Sequence, residues 1–554
     1  MADQISADDC YDLIVIGSGV AGMVAAITAA RHGLRALIIE KEPLWGGVSS
    51  YSGGYLWVPN HHLMAKDGHH DSEALALTYM NKVIGEVSPA SSAARRLAYV
   101  RNAARVVKTL EDDGYEWGYA QKFPDYYMEE HGGSDNRGVV AAAFDGKKLG
   151  PWFATMCRPN NFPPIVIDAW DALALLTPFS HIGTVLKVVA RTLWWRLLGR
   201  APLGAGQALV ARLMIIVQRY GVEVRLNAPL KELQIENGKV VGVVAGQNGQ
   251  QVTLRARAGV VLAAGGFARN DAFRRRYQPV GSGYTAAMHA GDTGDAIQIG
   301  MALGAATALM EHAWWMSTVI LPDGDQRMLL WERALPYSMI VDQLGRRFVN
   351  ESRSYNDLGR TIIEHSREAP ATPSWLIMDA RHRRRYAFQS WPGGYTPQKM
   401  INAGFFTKAD SLADLARQCD IDAATLQATV DRFNGFARSG IDEDFGRGNT
   451  SFDRAWGDPA CKPNPNLGTI ERAPFWAVKV YPGDLGTKGG LLTNEHARVL
   501  KENSEPIAGL YACGNTSASV MGTTYPGPGS TLGAAAVFAQ LAVEHAASRF
   551  AGKV

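Results

Sequence analysis

The first forty residues contain the feature that most constrains the fold of this chain. Residues 11–16 form a short apolar run rich in β-branched side chains, which is typical of a buried strand. The sequence GSGVAG follows at 17–22, then an Ala-rich helical segment over 23–32 and a second apolar strand over 35–39 that ends at Glu40. A strand, a GxGxxG turn, a helix, a second strand and an acid about 20 residues beyond the motif are the order of a dinucleotide fold. The sequence therefore predicts a dinucleotide site.

The residue types of this motif fit the chemistry of a phosphate site. Gly17 permits the tight turn, Gly19 lets the backbone approach the pyrophosphate, and Gly22 allows close packing of the helix. The helix N-terminus offers amide donors to the phosphates, and Glu40 is expected to accept hydrogen bonds from ribose hydroxyls. The whole chain has 58 glycines in 554 residues, above the usual proportion of about 7%. Since no collagen-like period exists, the excess indicates turns and ligand-binding loops.

Composition and charge exclude several other classes of protein. The net charge of +3 argues against nucleic acid as the main partner. The acidic, polar N-terminus does not predict a secretory signal, and no uncharged run is long enough to predict a membrane span. The five cysteines are scattered without metal-ligand spacing, so we expect no metal site and free thiols in a reducing cytosol. They are Cys10, Cys157, Cys419, Cys461 and Cys513.

Four further Gly-rich turns follow the first in a defined order. A small-residue loop spans 46–57, an apolar strand over 259–262 ends in Ala-Ala-Gly-Gly, and a strand over 509–513 ends at Gly514-Asn515. Near the C-terminus, 529–533 opens an Ala-rich helix over 534–545. These pieces resemble the FAD-dependent fumarate reductase and succinate dehydrogenase superfamily over nearly the whole chain. The order is specific, although each turn alone is not.

The resemblance implies an α/β fold with a Rossmann-like FAD-binding domain assembled from both chain ends, 1–311 and 485–554. An α+β substrate domain, 312–484, is inserted between them, and the active site lies at their interface. No second strand–GxGxxG–helix unit exists, so a bound nicotinamide is not expected. The implied FAD contacts are Gly17, Gly19, Ala21, Gly22, Glu40, Lys41, Gly46, Gly47, Ser49, Ser52, Gly53, Gly54, Ala264, Gly265, Gly514, Asn515, Ser530 and Leu532.

The chain departs from the fumarate reductases at three motif positions. The run GRRFVNE over 345–351 is shared, but Tyr355 stands where those enzymes have a proton-donating Arg. The stretch GTKGG over 486–490 lacks their carboxylate-binding His, and the loop over 49–54 lacks the His that tethers FAD in succinate dehydrogenases. A small dicarboxylate substrate is therefore disfavoured, and the FAD is expected to be non-covalent.

The replacements resemble the 3-ketosteroid Δ1-dehydrogenases. That family has a Tyr after the Asn-Glu run, matching Tyr355, and a C-terminal Tyr with a Gly four residues on, matching Tyr525 and Gly529. A third Tyr in an Asp-Tyr segment matches Tyr126, with Tyr127 as the alternative. The resemblance implies a 3-ketosteroid substrate and an external electron acceptor, for which a quinone is one candidate.

The roles implied for these residues fit the chemistry of removing hydrogens from C1 and C2. The Tyr525 hydroxyl and the Gly529 amide stabilise the developing enolate oxygen, which needs donors already aimed at it. Tyr355 takes the C2 proton as a phenolate or through a relay to solvent, with help from Tyr126, because a Tyr with a pKa of about 10 is a poor base at neutral pH. FAD accepts the C1 hydride. The alternatives are Δ4-(5α)-ketosteroid dehydrogenation, a related enone reduction, and a non-catalytic flavoprotein.

Residues 163–204 resemble an insertion relative to soluble members of the family. No acidic residue lies between Asp171 and Glu223, and the paired Trp194-Trp195 lies among apolar residues. These features suit a helical segment on an anionic membrane surface; a subunit interface and a lid over the substrate are the alternatives. The basic residues do not share one helical face, and they are Lys187, Arg191, Arg196, Arg200, Arg212 and Arg219. We expect a cytoplasmic protein, peripheral on the cytoplasmic face of the membrane if this segment binds lipid.

Overall fold

The computed structural model describes residues 9–159, 165–167, 171–247, 249–286 and 289–551. The strands are β1 (Cys10–Ile16), β2 (Ala36–Ile39), β3 (Tyr55–Trp57), β4 (Trp117–Tyr119), β5 (Gly138–Ala141), β6 (Phe144–Asp145), β7 (Pro202–Leu203), β8 (Glu223–Arg225), β9 (Leu230–Glu236), β10 (Lys239–Gln247), β11 (Gln250–Leu262), β12 (Thr307–Ala308), β13 (Ala313–Ile320), β14 (Gln326–Met328), β15 (Ser338–Val341), β16 (Ser374–Met378), β17 (Thr407–Ala409), β18 (Phe475–Thr487), β19 (Gly490–Leu491), β20 (Arg498–Leu500) and β21 (Pro506–Ala512).

Helices alternate with these strands. They are α1 (Val20–Arg31), α2 (His62–Lys66), α3 (Glu73–Val83), α4 (Ala93–Asp112), α5 (Asp171–Leu176), α6 (Ile182–Leu197), α7 (Ala205–Arg219), α8 (Asp271–Tyr277), α9 (Asp295–Ala302), α10 (Tyr355–His365), α11 (Ala380–Arg385), α12 (Gln398–Asn402), α13 (Leu412–Gln418), α14 (Ala423–Ser439), α15 (Ser451–Ala455) and α16 (Ser530–Ala551).

An eight-stranded sheet carries the nucleotide-binding motif. β1 lies at its centre, parallel to β2 on one side and to β11 on the other, and β8 extends it beyond β2. The C-terminal strand β21 pairs in parallel with the last residues of β11, through Val260–Leu262 and Leu510–Ala512. Strands from both ends of the chain therefore pair in parallel at the core of one mixed sheet, whose β9, β10 and β20 add antiparallel pairs, and this confirms the predicted Rossmann-like fold.

Two long helices pack together against this sheet. α1 begins three residues earlier than predicted, directly after Gly19, and ends at Arg31. α16 begins at Ser530, earlier than the predicted residue 534, and continues to Ala551. Their small, buried side chains allow close approach, since α16 buries Gly533, Ala535 and Ala536 among others. Both helix N-termini consequently lie at the same end of the sheet as the Gly-rich turns.

The middle of the chain forms a separate antiparallel sheet of six strands, ordered β14-β13-β18-β16-β15 with β17 paired to β18. The 13-residue strand β18 is the centre of this sheet. The domain boundary predicted between residues 484 and 485 falls inside β18. The predicted domain limits themselves stay a prediction. α10 packs on β13 and begins at Tyr355, which places that side chain at a helix N-terminus.

Part of the predicted insertion over 163–204 lies outside the described residues, namely 163–164 and 168–170. The described part contains α5, α6 and β7. α6 buries Val188 and Thr192 against the rest of the protein. No helix among the described residues is both long and apolar enough to cross a bilayer. All five cysteines are free thiols.

Candidate active site

A cavity of about 730 Å³ lies at the carboxyl ends of β1, β2, β11 and β21. In open parallel sheets this edge is the usual ligand site, because loops diverge there and leave a crevice. The end of β14 and the residues after it complete the wall, among them Met328, Leu330 and Trp331. The cavity thus joins the predicted cofactor turns to the middle of the chain.

Most of the predicted cofactor residues line this cavity. They are Gly17, Gly19, Ala21, Glu40, Lys41, Gly47, Ser49, Ser52, Gly53, Ala264, Gly265, Gly514, Asn515 and Leu532. Four predicted contacts are outside the lining: Gly22, Gly46, Gly54 and Ser530. These four shape the turns, and their contacts with FAD stay a prediction. A Cβ on Gly22 would lie 1.9 Å from the Gly17 carbonyl oxygen, and the Ser530 hydroxyl donates to the Gly527 carbonyl at 2.7 Å.

The Gly-rich turn brings backbone segments so close together that only glycine fits, and it exposes a helix N-terminus to the cavity. Gly17 has φ +105°, and a Cβ there would lie 2.4 Å from the Ala263 carbonyl oxygen, so a larger residue is excluded. The helix cap at Gly19 has no side-chain hydrogen bond, and the Ser49 hydroxyl accepts from the Val20 amide at 3.1 Å. Backbone amides and small hydroxyls at a helix N-terminus suit a pyrophosphate, so the residues present fit a dinucleotide.

Glu40 is buried at the end of β2, where the ribose contact is predicted. Its Oε2 accepts from the Ser18 amide at 3.0 Å and from the Ser18 hydroxyl at 2.7 Å, and Oε1 accepts from the Glu42 amide at 3.1 Å. The carboxylate therefore also anchors the Gly-rich turn. Because it lines the cavity, its remaining acceptor capacity faces the ligand space.

Lys41 reaches across to the helix that begins at Asp295. Its Nζ donates to the Thr293 hydroxyl and forms an ion pair with Asp295 at 2.7 Å. Burial alone would raise the pKa of Asp295, but the bonds from Lys41 and Thr293 hold that pKa below its usual value. The Asp295 carboxylate therefore stays charged and ties residues 291–296 to the edge of the cofactor cavity.

Three tyrosines predicted from separate segments meet in this cavity. The hydroxyls of Tyr126 and Tyr355 lie 3.4 Å apart. The Tyr126 ring stacks on Tyr525 with centroids 5.2 Å apart and planes at 14°, and Tyr355 contacts Tyr525 edge-on at 5.0 Å. All three side chains are at most 7% exposed. They form a compact cluster, although they are separated by more than 160 residues in sequence.

The Tyr525 hydroxyl lies beside the predicted amide donor. Gly529 and Thr531 line the cavity together with Tyr525, the proximity of their backbone N–H groups lowers the pKa of Tyr525, and the Thr531 hydroxyl donates to the Tyr525 hydroxyl at 3.4 Å. Gly529 has φ +84°, and a Cβ there would lie 2.1 Å from the Tyr55 carbonyl oxygen. Glycine is therefore required, and the start of α16 is held against β3 next to Tyr525.

Burial makes all three phenols weaker acids than a tyrosine in water. The pKa values of Tyr126 and Tyr355 are raised well above the usual 10, chiefly by burial and also by the neighbouring phenols. Burial also raises the pKa of Tyr525, while hydrogen bonds from its neighbours lower it in part. At neutral pH the three hydroxyls are protonated, which suits a hydrogen-bond donor and makes proton abstraction by Tyr355 demanding.

The structure distinguishes Tyr126 from its neighbour Tyr127. Tyr126 lines the cavity, and its amide donates to the Pro526 carbonyl at 2.9 Å. The Tyr127 hydroxyl instead donates to Asp357 at 3.0 Å, and Tyr127 is outside the lining. The two adjacent residues lie in one turn and point in different directions, so of the two only Tyr126 is placed to touch a ligand in the cavity.

Sequence reasoning missed the apolar wall opposite the cofactor turns. Tyr55 and Phe123 stack at 6.0 Å, and Phe123 meets Trp456 edge-on at 5.7 Å. These residues have no common motif, so no local signal identifies them. The insertion also contributes, since Ile165, Ile167 and Leu175 line the cavity. Because part of the insertion forms the cavity wall, its position is compatible with one predicted alternative, a lid over the substrate.

Comparisons with known proteins agree with this geometry. The family model described as FAD binding domain matches residues 12–532. A 3-oxosteroid 1-dehydrogenase from Mycolicibacterium smegmatis is 41% identical over 96% of this chain and 96% of its own length. The crystal structure of 3-ketosteroid Δ1-dehydrogenase from Sterolibacterium denitrificans in complex with 1,4-androstadiene-3,17-dione has 36% identity and a TM-score of 0.93, covering 98% of this chain and 100% of that one.

The chain belongs to the 3-oxosteroid 1-dehydrogenase family of FAD-dependent flavoproteins. It is an FAD-dependent oxidoreductase, which confirms the predicted cofactor, FAD, and the predicted enzyme class. A less similar relative is 4-oxocyclohexanecarboxylate 2-dehydrogenase from Sinomonas cyclohexanicum. It is 34% identical over 98% of this chain and 94% of its own length. Each of these names describes a dehydrogenase that acts on a cyclic ketone.

Proposed function

We propose that this protein removes the C1 and C2 hydrogens of a 3-ketosteroid. The observation that carries the proposal is the convergence of Tyr126, Tyr355 and Tyr525 on one cavity, beside the Gly529 amide. Donors for an enolate oxygen and a hydroxyl pair for proton transfer are thereby adjacent. This constellation matches the chemistry of a carbon acid next to a carbonyl.

Tyr525 and Gly529 bind the C3 carbonyl oxygen. Since Tyr525 is protonated and lines the cavity together with Gly529, a ligand oxygen placed between the phenol and the Gly529 amide would meet two donors. These donors strengthen as negative charge develops on the oxygen, and that makes the C2 proton more acidic. Bound FAD supplies the hydride acceptor for C1. The cavity places the Gly-rich cofactor turns and the three tyrosines on one continuous wall.

Tyr355 receives the C2 proton, and Tyr126 shares it. The two hydroxyls are 3.4 Å apart, a long hydrogen bond that can tighten when a ligand fills the cavity. Because burial raises the pKa of Tyr355, its phenolate is rare in the free enzyme at neutral pH. A hydrogen bond from Tyr126 stabilises that phenolate while the enolate oxygen is stabilised at Tyr525.

A steroid is preferred to a small ring ketone as the substrate because the wall beyond the tyrosines is extended and apolar. Tyr55, Phe123, Trp331 and Trp456 line it together with the insertion residues. A charged carboxylate on a cyclohexanone would need a cationic partner there. Among the described lining residues, Lys41 is the one lysine, it is paired with Asp295, and no arginine is included.

The test is an anaerobic titration of the holoenzyme with 4-androstene-3,17-dione. We expect the flavin absorbance to bleach in proportion to the steroid added, with the 1,4-diene as product. Bleaching with the 5α-dihydro analogue alone, and a 4-ene product, would indicate Δ4-(5α) chemistry instead. Bleaching with 4-oxocyclohexanecarboxylate alone would overturn the steroid assignment. No bleaching with any of these ketones would support a non-catalytic flavoprotein.

Electrons leave the reduced flavin to an external acceptor, for which we propose a quinone. The sequence has a single strand–GxGxxG–helix unit, which we assign to FAD, so a nicotinamide has no comparable motif. Stopped-flow reoxidation of the substrate-reduced enzyme by a short-chain quinone should be faster than by NAD⁺ at equal concentration. Faster reoxidation by NAD⁺ would contradict this choice.

The insertion helix α6 supports peripheral binding to a membrane, on its cytoplasmic face. Its exposed apolar residues recur at helical spacing on one face: Ile182, Leu186, Val189, Leu193 and Leu197, each between 48% and 81% exposed. Trp194 is 61% exposed beside them. Arg191 turns inward to an ion pair with Asp171, whereas Lys187, Arg196 and Arg200 are exposed near the apolar face. An apolar stripe flanked by cations suits an anionic lipid surface.

Charge substitutions on this face test the proposal. Leu186→Glu with Leu193→Glu should reduce co-sedimentation with phosphatidylglycerol vesicles by about 10-fold or more, since each apolar side chain contributes about 1.5–3 kcal/mol on burial. Ile441→Glu is the matched control, because Ile441 is 59% exposed on another part of the surface. Unchanged vesicle binding by the double variant, or equal loss in the control, would remove membrane binding. A shift in oligomeric state would favour the subunit interface.

A further inference from the structure

Lys488 is a fully buried lysine next to the tyrosine cluster. Its exposed fraction is 0%, and within the described part of the chain no carboxylate forms an ion pair with it. Burial lowers the pKa of its amino group well below the usual value, and the charge of Asp357 offsets this effect in part. A buried lysine without an ion pair costs stability, so a specific role is expected for this side chain.

Two contacts hold the amino group of Lys488. The Nζ donates a hydrogen bond to the Thr524 carbonyl oxygen at 2.5 Å. It also lies 4.5 Å from the centre of the Trp314 ring, in a cation–π arrangement. The backbone is fixed as well, since the Lys488 amide donates to the His312 carbonyl at 3.0 Å. Lys488 therefore connects two groups from different parts of the fold.

Both of these groups contact Tyr525. The Thr524 carbonyl belongs to the peptide that precedes Tyr525, so fixing it fixes the backbone from which the phenol projects. The Trp314 ring packs against the Tyr525 ring with centroids 5.2 Å apart at 75°. Trp314 Nε1 also donates to Asn515, which lines the cofactor end of the cavity, at 3.1 Å. Lys488 thus supports Tyr525 from the backbone and from the ring.

We propose that Lys488 is a positioning residue for the hydroxyl of Tyr525, which it aims at the substrate oxygen by holding the Thr524 carbonyl and the Trp314 ring. This inference rests on the proposed function, because Tyr525 is the oxyanion donor there. The geometry matters because such donors act only when they are aimed in advance, and a displacement of about 1 Å can cost about 100-fold in rate.

The test is a double-substitution cycle on the holoenzyme, measured as the rate of flavin reduction by 4-androstene-3,17-dione. Lys488→Met keeps the length and apolar stem but removes the N–H donors. We expect it to lower the rate by about 10- to 100-fold with a normal flavin content. Tyr525→Phe should lower the rate by about 100-fold or more. Adding Lys488→Met to Tyr525→Phe should then cost less than about 3-fold, because the group that Lys488 positions is already gone.

Lys479→Met is the matched control. Lys479 lies on β18, over the ring of Trp375 at 5.5 Å, yet it is exposed and outside the cavity lining. We expect it to leave the rate within about 2-fold of the wild type, as surface substitutions usually do. If Lys488→Met does not fold, Lys488→Gln, which keeps an N–H donor on a shorter stem, enters the same cycle with a smaller expected loss.

Two outcomes would overturn the inference. One is a wild-type rate of flavin reduction in Lys488→Met. The other is a full additional loss when both substitutions are combined, which would make the effect of Lys488 independent of Tyr525. Failure of the proposed function is distinguishable, because the wild-type flavin would then not be bleached by the steroid at all.

Discussion

The hydroxyl of Tyr126 lies 3.4 Å from the hydroxyl of Tyr355, although 229 residues separate them in sequence. The Tyr126 amide donates to the Pro526 carbonyl, and Tyr355 begins α10, which packs on β13. Their meeting joins the nucleotide-binding part of the chain to the second sheet. A proton received by one phenol can therefore be shared with the other inside an apolar site.

Tyr355→Phe removes the proposed proton acceptor and nothing else from the cavity. We expect the rate of flavin reduction by 4-androstene-3,17-dione to fall by about 1000-fold, within the usual range for loss of a general base. The flavin absorbance spectrum should be unchanged. Tyr395→Phe serves as the control, since Tyr395 is 56% exposed and outside the lining. Near wild-type turnover in Tyr355→Phe would refute the role.

Tyr126→Phe and Tyr127→Phe separate two neighbouring tyrosines. Tyr126→Phe should slow flavin reduction by about 10- to 100-fold, because the phenolate of Tyr355 loses its hydrogen-bond donor. Tyr127→Phe should instead lower stability by about 1–2 kcal/mol, since the buried bond to Asp357 is lost, with the rate almost unchanged. Thermal unfolding and stopped-flow absorbance measure the two effects. The reverse pattern would assign the catalytic role to Tyr127.

The rate of flavin reduction should rise with pH through the alkaline range. Burial raises the pKa of Tyr355 well above 10, so the deprotonated fraction grows about 10-fold per pH unit below that pKa. The slope of log(kcat/KM) against pH should therefore be positive, without a plateau, between about pH 7 and about pH 9. This whole window lies below the ordinary tyrosine pKa of about 10. A plateau near neutral pH would indicate a base other than a buried phenol.

Gly529→Ala tests the backbone at the start of α16. A Cβ at this position would lie 2.1 Å from the Tyr55 carbonyl oxygen, and φ is +84°, so the turn must shift and move the amide away from Tyr525. We expect activity to fall by about 100-fold or more. Gly435→Ala is the control, because a Cβ there meets nothing within 4 Å in α14. Substitution of that helical glycine should raise stability by up to about 1 kcal/mol.

The FAD should be released on acid precipitation of the protein. The loop over 49–54 has no histidine, cysteine or lysine for a covalent link, so we expect a yellow supernatant and a colourless pellet. His289 lines the cavity and is therefore the histidine that could form a covalent link to the flavin. If the wild-type pellet retains flavin and the pellet of His289→Ala does not, His289 is the covalent attachment site and the expectation of non-covalent FAD is wrong.

The local order of residues was sufficient to predict the nucleotide-binding fold. A β-branched run, a GxGxxG turn and an Ala-rich helix act over short distances, so strand β1, helix α1 and Glu40 could be placed from the sequence. Helix ends were less accurate, because α16 begins four residues early where Ser530 bonds to Gly527. The predictions of Gly22, Gly46, Gly54 and Ser530 located the turns next to the cavity, whereas the structure shows that these four residues are outside its lining.

The sequence by itself determined which residues are present at the site: glycines where a Cβ cannot fit, and three tyrosines on motif spacing. Only the tertiary structure decided which way their side chains point and which neighbours they contact. It directs Tyr126 into the cavity and Tyr127 toward Asp357. It also brings Tyr355 into contact with Tyr126 and Tyr525 and buries Lys488 behind Tyr525. The physical reason is that side-chain direction and burial depend on packing between distant segments. Motif spacing acts within one segment and contains no information about which neighbour the fold will place opposite it.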